Sequence, residues 1–308
     1  MKKISFVIPV YNEEKNIIEL YKRLKKVATN DFKEFEYEII FVDDGSIDQS
    51  GRLLEDLHNQ DGSIKVVQFS RNFGHHIAIT AGLDMAEGDF VVMMDGDLQD
   101  KPEEILRLYD KLQEGYDVVY AERMNKKFSI INRVSSLLFN SLIRRLIDEP
   151  IIINSTIFRI MTKQVAENIK LLRERNRYVV GIIGWVGFNH TAQKVEHDKR
   201  YAGKSKYSIS KRFSLALSAI FSFSNYPLKI IIKIGLSLVL VSFLIGTYII
   251  YKRIFYDVSV LGWSSLIVAV LVIGGIQTMV LGVIGEYVGR NYVEMKNRPM
   301  YIVKKYLL

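Results

Sequence analysis

The sequence predicts an α/β fold, a Rossmann-like domain with a mostly parallel sheet, followed by a C-terminal region able to enter a membrane. Three observations lead there. Short apolar strands alternate with helical patterns through the first part of the chain, acidic turns recur at the strand ends, and two long uncharged runs lie near the C-terminus.

Ile4–Val10 reads as a buried strand, followed by a charged amphipathic helix to about Val27. Tyr37–Val42 is a second strand and the stretch around Gln49–His58 a helix; Ile64–Phe69 is a third strand and Ile77–Ala86 is helical. Phe90–Met94 is a fourth strand, and Pro102 suits the first turn of the helix after it. Asp117–Ala121 is a fifth strand. Apolar strands joined by crossover helices build a largely parallel sheet covered on both faces. Ligands of such sheets bind beyond the carboxyl ends of the strands. Further on, Phe128–Leu146 reads as a basic amphipathic helix, Phe158–Met161 as a short strand, and Trp185 as a core residue.

At 49% hydrophobic residues and a mean hydropathy of +0.09, the chain is more apolar than an ordinary soluble enzyme of 308 residues. The surplus is local: residues 234–251 and 258–285 carry no charge. Each reaches the roughly 18–20 apolar residues that cross a bilayer core, although a pair of buried core helices would show the same pattern. Residues 207–226 mix lysine, serine and large apolar groups before Pro227, the pattern of a helix lying in the membrane interface or of a soluble core helix. The expected organisation is therefore a head over 1–206, an interfacial helix over 207–227, two spans within 228–290 (about 228–251 and 262–286) and a tail over 291–308. Trp263 stands at a span edge and suits an interfacial anchor.

Charge follows the same division. Residues 1–206 hold 31 basic and 31 acidic residues, so the whole net charge of +8 lies in 207–308, with 11 basic and 3 acidic residues. Because these cations flank apolar spans, anionic lipid rather than nucleic acid is the expected partner. The loop between the spans carries only Lys252 and Arg253, against more cations on both outer flanks, which predicts a two-span membrane protein with head and both termini in the cytoplasm. Ile4–Val10 ends at once in Tyr11-Asn12-Glu13-Glu14, unlike a signal peptide. The chain has no cysteine, so disulfide and thiol chemistry are excluded.

Chemistry concentrates in four turns at the ends of strands: Pro9–Glu14, Val42–Asp48, Ser70–Gly74 and Asp95–Asp100. Two carboxylates separated only by Gly96 repel one another unless a cation or protons intervene. With the Gln99 carbonyl they form a hard oxygen set suited to Mg²⁺ or Mn²⁺, which keep waters and recruit substrate phosphate oxygens. Asp-x-Asp also occurs by chance in solvated turns; Asp43 and Asp44 at the neighbouring strand end raise its weight. A carboxylate there can accept hydrogen bonds from a nucleobase or ribose, or cap an Asx-type turn with Ser46. Neither G-x-x-x-x-G-K-S/T nor G-x-G-x-x-G occurs, so a phosphate-cradling glycine loop is not expected. His75 and His76 read as helix-opening residues or donor contacts rather than metal ligands, and Glu286 and Arg290 as an intrahelical pair or subunit contact.

The segments PVYNEE, FVDDGSID, SRNFGHHIAITAGLDMAEGD, MDGDLQD and GYDVVYAER, in this order and spacing, resemble the GT-A-fold family 2 glycosyltransferases. ERNRY, GWVGF, AGKSKYS and LGVIGEYVGRNYVEMKNRPMYIVKK narrow the resemblance to bacterial polyprenyl-phosphate (undecaprenyl-phosphate) glycosyltransferases, relatives of dolichyl-phosphate mannose synthase. The resemblance covers essentially the whole chain. It implies that Pro9, Tyr11, Glu13, Asp43 and Arg71 line a nucleotide-sugar site, and that Asp95, Asp97 and Gln99 hold the metal and donor diphosphate. Arg123, Arg133 and Lys206 would grip the acceptor phosphate, a solvated charge being the alternative for Arg123 and Arg133. Relatives commonly carry Gly-Asp-Phe-Arg-Leu where this chain reads Thr156-Ile157-Phe158-Arg159-Ile160, so an Asp sometimes proposed as catalytic base is Ile157 here. The resemblance implies inverting transfer from UDP-glucose or UDP-N-acetylglucosamine to undecaprenyl phosphate, for cell-envelope glycan modification. It also implies a homo-oligomer, a tetramer among the options, and leaves room for a flippase partner; Asn154, Ser155 and Thr156 are candidate sugar contacts. Two alternatives stand beside it: a processive polysaccharide synthase, which usually carries Q-x-x-R-W and more spans, and an inactive membrane scaffold.

Overall fold

The structure, a computed structural model, describes residues 1–123, 157–175, 177–196, 226–256 and 262–308. The order is β1 (Lys2–Val10), α1 (Ile17–Asn30), β2 (Phe35–Asp43), α2 (Ser50–Gln60), β3 (Ile64–Phe69), α3 (His75–Met85), β4 (Phe90–Met93), a 3₁₀ turn (Pro102–Glu104), α4 (Ile105–Leu112) and β5 (Val118–Arg123). After it come β6 (Arg159–Thr162), α5 (Lys163–Leu171), α6 (Val179–Trp185), β7 (His190–Val195), α7 (Tyr226–Tyr256), α8 (Trp263–Met295) and β8 (Val303–Leu307).

Among the described residues the strands form one sheet in the order β7-β5-β6-β4-β1-β2-β3-β8. β4-β1-β2-β3 are parallel neighbours, as the alternation predicts. β6 is antiparallel to both β4 and β5, so β5 runs parallel to β4, and β7 pairs parallel with β5. The strand centres are apolar and buried, Ile4, Phe6, Ile8, Ile39, Phe41 and Val66 among them, because helices cover both faces. α1 places Ile17, Leu20, Leu24, Val27 and Ala28 in the core by helical spacing. Each such leucine or isoleucine contributes roughly 1.5–3 kcal/mol on burial. α3 approaches β1 closely: a methyl at Gly82 would stand 2.3 Å from a Val7 side-chain carbon.

The sequence-predicted elements lie within a few residues of those observed. Pro102 opens a 3₁₀ turn that continues into α4. Trp185 is a correction: it is 54% exposed, because it ends α6, whose preceding residues Val179–Gly184 are the buried ones. The basic stretch 128–146 and nearly all of 207–227 lie outside the described residues.

The chain divides into two compact units. The first is the N-terminal head together with Arg298–Leu308. The residues assigned to a tail thus end in β8, an antiparallel edge strand on β3. The second unit contains α7 and α8. They are apolar on all sides, and their windows Leu228–Ile249 and Val272–Met295 are long and apolar enough to cross a membrane. α8 begins at Trp263, at the start of the expected 262–286, and continues to Met295, while α7 runs past Lys252 to Tyr256. Arg290 Nε donates to Glu286 Oε1 at 2.9 Å, the intrahelical pair expected from the sequence.

Candidate active site

Parallel pairing brings the acidic turns to one edge of the sheet. Val10 of β1 lies opposite Asp43 of β2, and Val7 opposite Met93 of β4, so β1 lies between them and the turns after β2 and β4 flank the β1 turn, rather than leaving adjacent strands as expected from the sequence. Pro9 is buried, and its carbonyl oxygen is 3.2 Å from where a Gly96 side-chain carbon would stand, which brings the β1 and β4 turns into close approach.

The first three turns are bound to one another through carboxylates and hydroxyls. The Asn12 N–H donates to Ser46 Oγ, the Glu13 N–H to Ser50 Oγ and the Ile47 N–H to Asn12 Oδ1, each at 2.9 Å. Glu13 Oε2 accepts from Asn16 Nδ2 at 2.6 Å. Asp43 closes its own turn by accepting from the Ser46 N–H at 2.9 Å, as the Asx-turn reading expects. Asp44 reaches the β3 loop instead, accepting from the Phe73 N–H at 2.7 Å and the Gly74 N–H at 3.0 Å. Burial pushes both carboxyls above the ordinary aspartate value, while hydrogen bonds from Ser46, and from Phe73 and Gly74, act in the opposite direction. Lys304 on β8 also lowers Asp43.

Gly45 makes this contact possible. Its φ of +68° is left-handed, and a side-chain carbon there would stand 2.4 Å from the backbone carbon of Arg71. Arg71 itself is exposed, with its guanidinium 4.1 Å from the Phe73 ring centroid.

The β4 turn carries the metal-ligand candidates. Asp97 is 8% exposed and accepts from the Gln99 N–H at 3.1 Å, and Leu98 between them is left-handed at φ 58°. Asp95 is about one-third exposed, with Oδ1 3.2 Å from His75 Nε2 at the start of α3. Among the described residues no three His, Cys, Asp or Glu side chains form a metal cage. Asp95, Asp97 and a Gln99 oxygen fit a hard cation such as Mg²⁺ or Mn²⁺, whose other positions belong to water and phosphate oxygens.

Not every candidate is placed. Arg123 ends β5 at the same edge of the sheet, paired in register with Val195. Arg133 and Lys206, with Asn154, Ser155 and Thr156, lie outside the described residues.

Behind the β4 turn is a group that sequence reasoning did not single out. Arg159 starts β6 opposite Met93, is 1% exposed, and donates from Nε to the Ile157 carbonyl at 3.2 Å. Burial lowers its guanidinium to about 10, with Tyr178, Tyr120 and Asp95 acting in the opposite direction, so it remains a cation at neutral pH. Burial also lowers His76 to about 3, helped by the charges of His75, Arg159 and Arg177. His76 is thus a neutral ring, edge-on to Tyr178 with centroids 5.3 Å apart. The segment carrying Ile157 was legible as unusual; the enclosure of Arg159 required antiparallel insertion of β6 beside β4.

Comparison with known proteins adds lineage to this geometry. Over 98% of its length the chain is 44% identical to the uncharacterized glycosyltransferase YkcC of Bacillus subtilis, covering 93% of that protein. It is 41% identical, over 98% of both chains, to the SfII prophage-derived bactoprenol glucosyl transferase of Shigella flexneri. A more distant likeness, 18% identical with a TM-score of 0.48 over 71% of this chain and 76% of the other, is to glucosyl-3-phosphoglycerate synthase from Mycobacterium tuberculosis crystallised with Mn²⁺, UDP and phosphoglyceric acid. The family model described as Glycosyl transferase family 2 matches residues 5–170. With more than half of the chain under that match and whole-length relatives bearing the same activity name, this protein is a glycosyltransferase and belongs to glycosyl transferase family 2.

Proposed function

We propose that this enzyme transfers glucose from UDP-glucose to undecaprenyl phosphate at the cytoplasmic face of a membrane, inverting the anomeric centre. The observation that carries the reading is one chain that joins a cluster of acidic turns at the carboxyl edge of a parallel sheet to two helices of membrane-crossing length. The whole-length relative named as a bactoprenol glucosyl transferase supports glucose over N-acetylglucosamine and a polyprenyl acceptor. The larger number of cations flanking the apolar pair than lying between its members supports a cytoplasmic head.

Within this reading Pro9, Tyr11, Glu13, Asp43 and Arg71 receive the nucleoside part of the donor, and Asp95, Asp97 and Gln99 hold the divalent cation. That cation, Mg²⁺ or Mn²⁺, supplies charge stabilisation to the departing diphosphate. An acceptor phosphate oxygen forms the new bond to the anomeric carbon as the bond from that carbon to the donor diphosphate breaks, releasing a nucleoside diphosphate. The attacking phosphate is already anionic at neutral pH, so Ile157 in place of an Asp removes no proton acceptor the step requires. Arg123, Arg133 and Lys206 are assigned to the acceptor phosphate, where cations offset the repulsion between two anionic substrates.

The test is a donor screen with purified full-length protein, undecaprenyl phosphate and Mg²⁺ or Mn²⁺, reading the lipid product by mass. A single glucose on the lipid is expected with UDP-glucose, and Asp97→Asn should reduce its formation by about 100-fold or more. A lipid-linked N-acetylhexosamine would move the assignment to the other sugar. A long polymer, or full activity in Asp97→Asn, would overturn the reading.

A further inference from the structure

The C-terminal strand reaches the donor side of the head. β8 pairs antiparallel with β3, and their register shifts between Gln68 and Phe69, where the β3 loop begins. There the Ser70 N–H donates to the Ile302 carbonyl at 3.0 Å. The preceding residue, Tyr301, stacks on Phe69 with ring centroids 5.1 Å apart and planes 19° from parallel. Phe69 in turn meets Phe73 edge-on at 5.6 Å, and the Arg71 guanidinium lies over Phe73.

A second attachment fixes the Tyr301 ring from its far end. Its hydroxyl donates to Asp84 Oδ2 at 2.8 Å, and the same oxygen accepts from Arg173 Nη1 at 2.8 Å. Asp84 lies on α3, the helix whose first residue, His75, stands beside Asp95. The C-terminal segment therefore contacts both the loop that Asp44 holds and the helix that adjoins the β4 turn. Tyr301 is only partly exposed, and its ring rather than its hydroxyl stacks on Phe69, the last residue of β3, which in turn meets Phe73 of the loop.

We propose that Tyr301 is a positioning residue for the Ser70–Gly74 loop, holding Arg71 where the donor nucleotide meets it through the stack Tyr301–Phe69–Phe73. Tyr301 acts through the loop and touches no substrate. The proposal rests on the donor-site reading given above for Arg71. It assigns to residues beyond the second apolar helix a function in donor binding, which the position of that segment in the sequence does not disclose.

The experiment uses full-length protein in detergent, with Tyr301→Ala and Tyr301→Phe, and three readouts: hydrogen exchange of peptides covering 69–74, the Kd for UDP with Mn²⁺, and the separate KM and kcat for UDP-glucose. Tyr301→Ala is expected to speed exchange in 69–74 and to raise Kd and KM by about tenfold, with kcat within about twofold of the parent. Tyr301→Phe keeps the ring and should stay within about twofold of the parent in Kd and KM. Unchanged exchange and Kd in Tyr301→Ala would overturn the proposal. So would equal damage in Tyr301→Phe, which would place the effect on the Asp84 hydrogen bond. A loss of kcat with the thermal midpoint, at unchanged KM, would also overturn it by marking general destabilisation. If the parent itself bound no UDP, the donor-site reading would fail, while the exchange data would still report whether Tyr301 orders the loop.

Discussion

At the residue scale, the candidate site edge is built from groups whose backbone duties are as specific as their chemistry. Asp43 and Asp44 are adjacent in sequence yet do different work: one closes the β2 turn, the other holds the β3 loop by two N–H donors. Gly45 lets the two loops come together, because any side chain there would meet Arg71 backbone rather than a flexible tip. Gly45→Ala combines that overlap with a left-handed backbone, and should cost about 1–3 kcal/mol of stability. A thermal unfolding series in detergent, read alongside KM for the donor, checks this; an unchanged midpoint would mean that the turns tolerate separation. Asp95-Gly96-Asp97 was legible as a candidate metal turn from its residue types and its place after a strand. Arg159 was not, since one arginine in a short strand resembles any other until its burial is known.

At the element scale, the two ends of the sheet are specialised. At the carboxyl edge lie the turns that carry the candidate site residues; at the amino edge lies an ion cluster. Glu38 of β2 lies 2.9 Å from the amino groups of both Lys3 of β1 and Lys65 of β3, and accepts from Ser5 Oγ and the Glu87 N–H. Burial alone would raise its carboxyl, but the bonds from Ser5, Glu87, Lys3 and Lys65 outweigh it and lower the group to about 2. A lowered carboxylate stabilises the fold above its unfolded value near 4.5, and that contribution disappears as pH falls through its folded value near 2. The parent should therefore lose stability between about pH 4.5 and pH 2 more steeply than Glu38→Gln. Thermal midpoints measured across that window decide it, and parallel curves would show that Glu38 is not responsible. Strand and helix identities were legible here because buried parallel strands read as apolar runs. The antiparallel insertion of β6 beside β4 was not, because a short strand does not specify its neighbour.

At the scale of the whole molecule, a nearly neutral head and a basic apolar region share one chain. α7 and α8 expose large apolar side chains such as Leu236, Phe243, Leu266 and Leu281, which lipid would cover at no cost in buried polar groups. If both helices span a bilayer, alkaline carbonate should leave the full-length protein in the membrane pellet. Its appearance in the supernatant would instead indicate peripheral attachment by charge, which salt and high pH release.

The sequence by itself determined the alternation of strand and helix, the acidic turns and the two long apolar helices. Each is written in local spacing and residue type, the quantities that backbone geometry and hydrophobic burial act upon directly. Tertiary structure alone decided which turns meet, that Asp44 rather than Asp43 secures the β3 loop, and that Arg159 keeps its charge in the interior. It also returned the C-terminal residues to the sheet as β8. The physical reason is common to all of these. Strand pairing and burial join residues far apart in the chain, and their partners are specified by the assembled core rather than by adjacent sequence.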